Sequence, residues 1–462
     1  MKRTYTTETR LSKGSEITKY LDMYVAVYNK LYREMWHDMT SPSFKELYSK
    51  ESEYVTYMCG KHQLLKRTVN SIRNDINGTM RAFKELQKEN KRSLKQKVSK
   101  QQTKVNKLIE EVKALKKKAG KNKATEKELE KLRQKKSSLY YQRNRLNKMK
   151  QRLVKIEANI DNDRYNIGFG SKKMFRKQFR LKENGYKTHE KWLNDYRKAR
   201  DKNIYYLGTY SEKAGNQLCQ LAYNEETGLF DISLRVEDKL LKLPYKQVKA
   251  SGISIKYMGD EIASILKEKS RPLSYRFARR GNAWYMQVMF SIEKCSTDTR
   301  SKDGVIGIDY NEGFLAITET DGCGNLVGRD RYDLYFHGTG NKAKSEMSQV
   351  AARIAKEAHA KGKDIVIEDL DFTRTKAKMI PARSKAGKKY NRQCHLFDYK
   401  RYKEFMQGAC FKRDVGIHLV DPRNTSVIGK GKYAKQKKLT VHEAASYVIA
   451  RRGQGFTDKV PA

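Results

Sequence analysis

Proline is scarce in this chain, six in 462 residues, so long helices can run without a break. Cysteine is equally sparse. Cys59, Cys219, Cys295, Cys323, Cys394 and Cys410 are scattered and no two form a C-x-x-C pair. That spacing excludes a four-cysteine zinc site and a disulfide framework, and it fits a reducing compartment. Long apolar runs are missing too: no stretch of about 18 apolar residues occurs. The start, Met1-Lys2-Arg3-Thr4-Tyr5, has no apolar core of a secretory leader. No membrane partner is expected, and the expected location is the cytoplasm. Acids are the last shortage. Fifty-three Asp and Glu stand against 99 Lys and Arg, a net charge of +46. This surplus exceeds what solubility needs, and the polyanion it suits best is nucleic acid, whose affinity grows with each phosphate neutralised.

Against that basic background two acids sit in apolar surroundings. Val305-Ile306-Gly307-Ile308 leads into Asp309-Tyr310, and Gly313-Phe314-Leu315-Ala316-Ile317 follows at once. Some sixty residues on, Ile365-Val366-Ile367 ends on Glu368-Asp369. Buried strands that each end on a carboxylate project those acids above an α/β sheet. Two such acids on neighbouring strands suit Mg²⁺, with Mn²⁺ as a substitute, and the chemistry of a metal-dependent nuclease. Alternation turns Asp369 away from Glu368. Residues 344–360 predict a helix with Val350, Ile354 and Ala358 on one face.

Upstream, residues 1–15 alternate loosely as one strand. Residues 16–90 predict helices, with Ile17, Leu21, Val25 and Leu31 at near-helical spacing. Leu94, Val98, Val105, Leu108, Val112 and Leu115 keep a seven-residue seam. Ala119-Gly120-Lys121-Asn122 breaks it, Thr125 to Glu128 form a capping box, and Leu132, Leu139, Leu146 and Leu153 resume it with Met149 and Ile156. This is an antiparallel coiled-coil hairpin with Lys- and Arg-rich outer faces. From 158 to 297 strands are expected at Tyr205–Gly208, Leu218–Leu221, Phe230–Val236, Ile253–Tyr257 and Trp284–Phe290, closing an antiparallel barrel or curved sheet. Before them lies Gly168-Phe169-Gly170-Ser171-Lys172-Lys173, a basic loop suited to a sugar–phosphate backbone through Lys172, Lys173 and Arg176. Tyr165, Phe169 and Trp192 are candidates for stacking on bases. Trp284 and Tyr285 fit a strand core. Residues 373–392, including Lys376 and Lys378, are basic and poor in apolar side chains.

These residues carry a family resemblance. Gly307-Ile308-Asp309-Tyr310-Asn311-Glu312-Gly313-Phe314-Leu315-Ala316 resembles the first RuvC motif of TnpB proteins and type V CRISPR effectors, and Ile365-Val366-Ile367-Glu368-Asp369-Leu370 resembles the second. Phe397 to Lys403, Gly416 to Pro422 and Thr425-Ser426 are similar to the segment that follows, and Tyr165 to Asn216 to the middle of such proteins. The resemblance implies a prokaryotic, transposon- or CRISPR-associated hydrolase: an RNA-guided DNA endonuclease. A guide RNA would pair with target double-stranded DNA, and a Mg²⁺-dependent RuvC site would cut it. The implied architecture is a multidomain α+β protein. A first wedge strand (1–15) precedes a helical recognition domain (16–157) and an antiparallel β-barrel wedge domain (158–297). A RuvC-like α/β nuclease domain of RNase H fold (298–462) completes it.

The sequence departs from that family twice. Where a cysteine zinc ribbon usually follows Thr-Ser, Val427-Ile428-Gly429-Lys430-Gly431-Lys432-Tyr433 has no cysteine. No zinc is expected, and the insert at about 422–438 is read as a basic loop, with Lys430 and Lys432 as nucleic-acid contacts. The third RuvC acid is also not in its usual place, the start of the last helix; that helix reads Leu439-Thr440-Val441-His442-Glu443-Ala444-Ala445. Three readings stand: His442 is a nitrogen ligand, Glu443 supplies the carboxylate, or the site is incomplete and the protein binds DNA without cutting. Asp421 is a more distant candidate, and its place before Pro422 suits a turn.

Overall fold

The computed structural model describes residues 2–120, 125–210, 216–294, 296–311, 313–334, 340–370 and 399–460. Lys376 and Lys378 therefore lie outside the described residues. The chain divides into two compact units. Residues 2–92 with 150–292 form one, and 93–149 with 293–462 form the other.

The first unit begins with strand β1 (Lys2–Arg10) and helices α1 (Glu16–Met39), α2 (Glu51–His62) and the start of α3 (Lys66–Ala119). In α1 the spacing of Tyr20, Tyr24 and Tyr28 puts three rings on one face, and neighbouring rings lie 5.3 and 5.7 Å apart. All three are buried with Ile17 and Leu21. Beyond α4 (Glu126–Asp161) and α5 (His189–Arg200) the chain is β-rich: β2 (Asn203–Tyr206), β3 (Cys219–Asn224), β4 (Leu229–Arg235), β5 (Gln247–Ile253), β6 (Ser274–Arg280) and β7 (Ala283–Glu293). The expected barrel is not found among the described residues. The strands form two open sheets, β1-β7-β6-β2 and β3-β4-β5. The reason lies at the expected strand Ile253–Tyr257, which ends at its first residue. Gly252 (φ +72°) and Met258 (φ +58°) turn the chain, and it enters helix α6 (Gly259–Glu268) instead of pairing onward. A barrel needs every edge paired.

In the second unit α3 and α4 pair as the hairpin. Leu94, Val105, Leu108, Val112, Leu132 and Leu146 are buried along the seam. Gln101, the seam position between Val98 and Val105, is buried as well, and its amide donates to the Gln142 side chain at 2.9 Å. The capping box forms: Glu128 N donates to Thr125 Oγ1 and Thr125 N donates to Glu128 Oε2.

The same unit holds a five-stranded mixed sheet. Its strands are β8 (Val305–Asn311), β9 (Phe314–Thr320), β10 (Leu326–Asp333), β11 (Asp364–Glu368) and β12 (Ile417–Val420), in the order β10-β9-β8-β11-β12. β8 and β9 run antiparallel, and β11 runs parallel to both β8 and β12. Helices α7 (Gly340–Ala360) and α8 (Tyr399–Lys412) cover one face through Ile306, Ile308, Ile365 and Ile367. Helix α10 (Val441–Gly453) covers the other through Val305 and Val366. Between β12 and α10, the segment expected as a basic loop is helical: a short α9 (Thr425–Ile428) runs into a π-helical turn, Gly429–Ala434. Ile428 and Tyr433 pack it against Ala444 and Tyr447 of α10, because apolar burial outweighs the charge of its lysines.

Candidate active site

Two glycines decide how closely α10 sits on the sheet, and a third how closely the π-helical turn sits on α10. A Cβ on Gly307 would lie 2.3 Å from the Ser446 carbonyl and 2.7 Å from Ala450 Cβ. On Gly453 it would lie 2.3 Å from Val366 Cγ2, and on Gly429 it would lie 2.7 Å from the Ala444 backbone. Without side chains at these points the helix lies directly on β8 and β11, and its first turn reaches their C-terminal ends.

The acids stand at those ends. The parallel register pairs Ile308 with Ile367, so Asp309 and Glu368 are the next step on adjacent strands. Alternation puts both on the α10 side, and both are buried. Asp309 Oδ2 accepts from Asn311 Nδ2 at 2.8 Å and lies 3.3 Å from His442 Nδ1. Glu368 Oε1 accepts from the Thr425 hydroxyl at 2.7 Å. Burial, and next the negative charge of Asp309, push the Glu368 carboxyl up to about 7, against the pull of the Thr425 hydrogen bond and the Arg452 charge. The hydrogen bond to Asp309 raises the His442 imidazole above its ordinary value, outweighing the opposite effect of burial. Phe314 meets the His442 ring edge-on at 5.2 Å, and the Arg331 guanidinium covers Phe314 at 3.9 Å.

The structure thus places Asp309 and Glu368 on adjacent strands with His442 against Asp309, and gives the other candidates different roles. Glu443 closes the capping box of α10, accepting from Thr440 N at 2.7 Å. Asp369 is exposed and pairs with Lys403 at 2.7 Å. Asp421 is exposed and closes a turn by accepting from Arg423 N. Lys172, Lys173, Arg176 and Lys430 are exposed. Lys432 is held by Asp458 at 2.6 Å, in a partly buried knot that Tyr433 and Arg451 also join. Trp192 and Trp284 are buried, and the Trp284 indole donates to Asp22. Sequence reasoning quoted Thr425 and Asn311 without giving them a role. The signal was a hydroxyl in a short polar turn after β12, and an amide two residues past the first acid.

Two hard oxygen donors side by side suit Mg²⁺ or Mn²⁺, which complete their shell with water. Among the described residues, no group of three or more His, Cys, Asp or Glu side chains is gathered closely enough to hold a metal ion. The fit is that of a carboxylate pair, with the imidazole bonded to one carboxylate and not set as a third donor.

Solved structures similar to the chain are RuvC and Cas12 proteins. RuvC of T. thermophilus with a Holliday junction substrate aligns over 32% of this chain and 89% of its own, at 12% identity and a TM-score of 0.22. A Cas12f1–sgRNA–target DNA complex aligns over 97% of this chain and 99% of its own, at 12% identity and a TM-score of 0.25. A Cas12i1 R-loop complex before target DNA cleavage covers 86% of this chain and 47% of its own, at 9% identity and a TM-score of 0.23. No family profile and no curated protein matches the chain. Among the described residues, no helix is long and apolar enough to cross a membrane.

Proposed function

We propose that this protein is an RNA-guided DNA endonuclease of RuvC type. The observation that carries the reading is the buried pair Asp309 and Glu368 at the ends of adjacent parallel strands, under a helix that brings His442 to 3.3 Å from Asp309. The net charge of +46 supports a nucleic-acid substrate, and the motif resemblance supports guidance by RNA. Asp309 and Glu368 would hold Mg²⁺, which when bound activates a water and stabilises the leaving oxygen. Thr425 keeps the Glu368 carboxylate aimed, and Asn311 does the same for Asp309. His442 holds a proton at Nδ1 against Asp309. Target recognition rests on base pairing and phosphate contacts remote from these groups.

The test is to sequence the RNA that copurifies with the protein, reconstitute the complex, and offer target duplex with Mg²⁺. The wild type should cut, and Asp309→Ala should bind equally well and not cut. His442→Ala should bind equally well and cut more slowly. A second reading, guided DNA binding without cleavage, rests on the sequence: His442-Glu443 stands where the third RuvC Asp is usual. Wild-type protein that binds its target in Mg²⁺ and leaves it whole establishes that reading and sinks the first.

A further inference from the structure

The first unit contains an open cleft of about 860 Å³ beside the loop that joins α4 to the short helical turn Lys172–Arg176. We propose that this cleft takes one unpaired nucleotide of a single-stranded nucleic acid, base and phosphate together. The proposal rests on the reading of the chain as a nucleic-acid-binding protein and adds a specific site to it.

The walls sort into two kinds of chemistry. Lys155, Arg164 and Lys172 line the cleft with exposed side chains, and no Asp or Glu lines it. Among the described residues none of these three is engaged in an ion pair. Two further cations, Arg33 and Arg200, are held by Asp201 at 2.5 and 3.2 Å. Their charge is already answered, and they brace the wall. The three remaining cations suit a phosphate. The same cleft is lined by the aromatic rings Phe169, Phe175 and Tyr196. Phe175 is 46% exposed, and its ring meets Tyr196 edge-on at 5.9 Å. Asn159 and Asn166 line it as well and supply donors and acceptors. An inorganic anion would fill a small part of this volume and leave the ring and amides without a use. A paired base has its faces stacked and its edge taken, so only an unpaired base can use the ring and the amides at once.

The cleft is also held in shape before any ligand arrives, which lowers the cost of binding. The Tyr196 hydroxyl donates to the Phe169 carbonyl at 2.9 Å. The Phe169 ring packs edge-on against Trp36 at 5.8 Å and Tyr32 at 5.9 Å. Gly170 sits at φ +83°, and a Cβ there would lie 3.2 Å from both Tyr196 and Arg200. Ser171 follows at φ +87°, a backbone region that favours glycine, and its hydroxyl accepts from Met174 N. Strained backbone of this kind persists where surrounding structure over-determines it and clusters at ligand sites.

The experiment uses the full chain freed of bound nucleic acid, with a single-stranded 12-nucleotide oligouridylate carrying a central 4-thiouridine as probe. Photo-cross-links, mapped by mass spectrometry, should fall on Phe169, Phe175 or Tyr196. Phe175→Ala should weaken binding about tenfold, the weight of one base on one ring. Arg164→Ala with Lys172→Ala should flatten the plot of log affinity against log salt by about 0.7, the loss of one single-strand phosphate contact. An RNA duplex of the same length should not displace the probe. Circular dichroism checks that these exposed substitutions leave the fold intact. Cross-links confined to other segments, no binding of the probe, displacement by the duplex, or wild-type affinity in both variants overturns the proposal. A protein that cross-links here and never cuts DNA sinks the nuclease reading alone. One that cuts and cross-links only elsewhere sinks the cleft alone.

Discussion

Glu368 is the residue whose environment differs most from what its sequence context announces. A carboxyl at a strand end is ordinary, but one that ionises near 7 instead of 4.5 is not. Because its folded value is raised, the folded state prefers the protonated form. The stability this gives is fully present below pH 4.5 and is lost as pH rises through 7, on the order of 3 kcal/mol in all. In a chelator the wild type should therefore lose thermal stability between pH 5 and 8, and Glu368→Gln, which keeps the neutral form, should lose less over the same range. Mg²⁺ should restore the wild type at pH 8 and leave the Gln variant unmoved. Parallel curves for the two proteins would show that the carboxyl ionises normally. Thr425 belongs to the same argument. Its hydroxyl is the hydrogen bond that pulls the Glu368 value down, so Thr425→Val should move the midpoint of that transition to higher pH. An unmoved midpoint would mean that Thr425 only fills space.

Helix α10 sets the element-scale energetics, because its seat depends on missing side chains, Gly307 first among them. Gly307→Ala would force a Cβ to 2.3 Å from the Ser446 carbonyl, where neither strand nor helix backbone can yield. Overpacking of this kind costs about 1–3 kcal/mol, and lifting the helix also draws His442 from Asp309. The variant should show a lower denaturation midpoint together with slower cleavage. Normal stability would mean that the helix is seated less tightly than it appears. Gly307 also shows what was legible. Its motif placed Asp309 and Glu368 on adjacent strands, and the heptads placed the hairpin, since both are patterns of apolar spacing. The strand β6, Ser274-Tyr-Arg-Phe-Ala-Arg-Arg, was missed because arginines fill its outer positions and mask the alternation of buried Tyr275 and Phe277. The barrel or curved sheet was expected from the run of strands and from the resemblance, and closure depends on edge pairing that neither of these shows. The role of Thr425 was illegible because it comes from an approach across 57 positions of chain.

Over the whole molecule, 99 Lys and Arg stand against 53 Asp and Glu, so many cations have no acid to pair with. On the hairpin Glu110, Glu111 and Glu128 are each taken by a lysine, Lys113, Lys135 and Lys118. The other cations of its outer faces then stand with few acids left to answer them. Lys131, Arg133, Arg143 and Arg145 are exposed along α4, where a rigid helix presents them at fixed spacing. Such an array suits a phosphate backbone and is insensitive to sequence. Changing these four to Gln keeps helix propensity and the seam, so the hairpin should fold as before. If each meets a phosphate, the salt dependence of binding to the copurifying RNA should flatten by about 3 to 4 units of slope, at 0.7 to 0.9 per contact. Affinity should fall most at low salt and converge with the wild type as salt rises, since screening removes what the mutations remove. An unchanged slope with the hairpin intact would mean that these charges only solvate a spacer, and that the RNA is held by other parts of the chain.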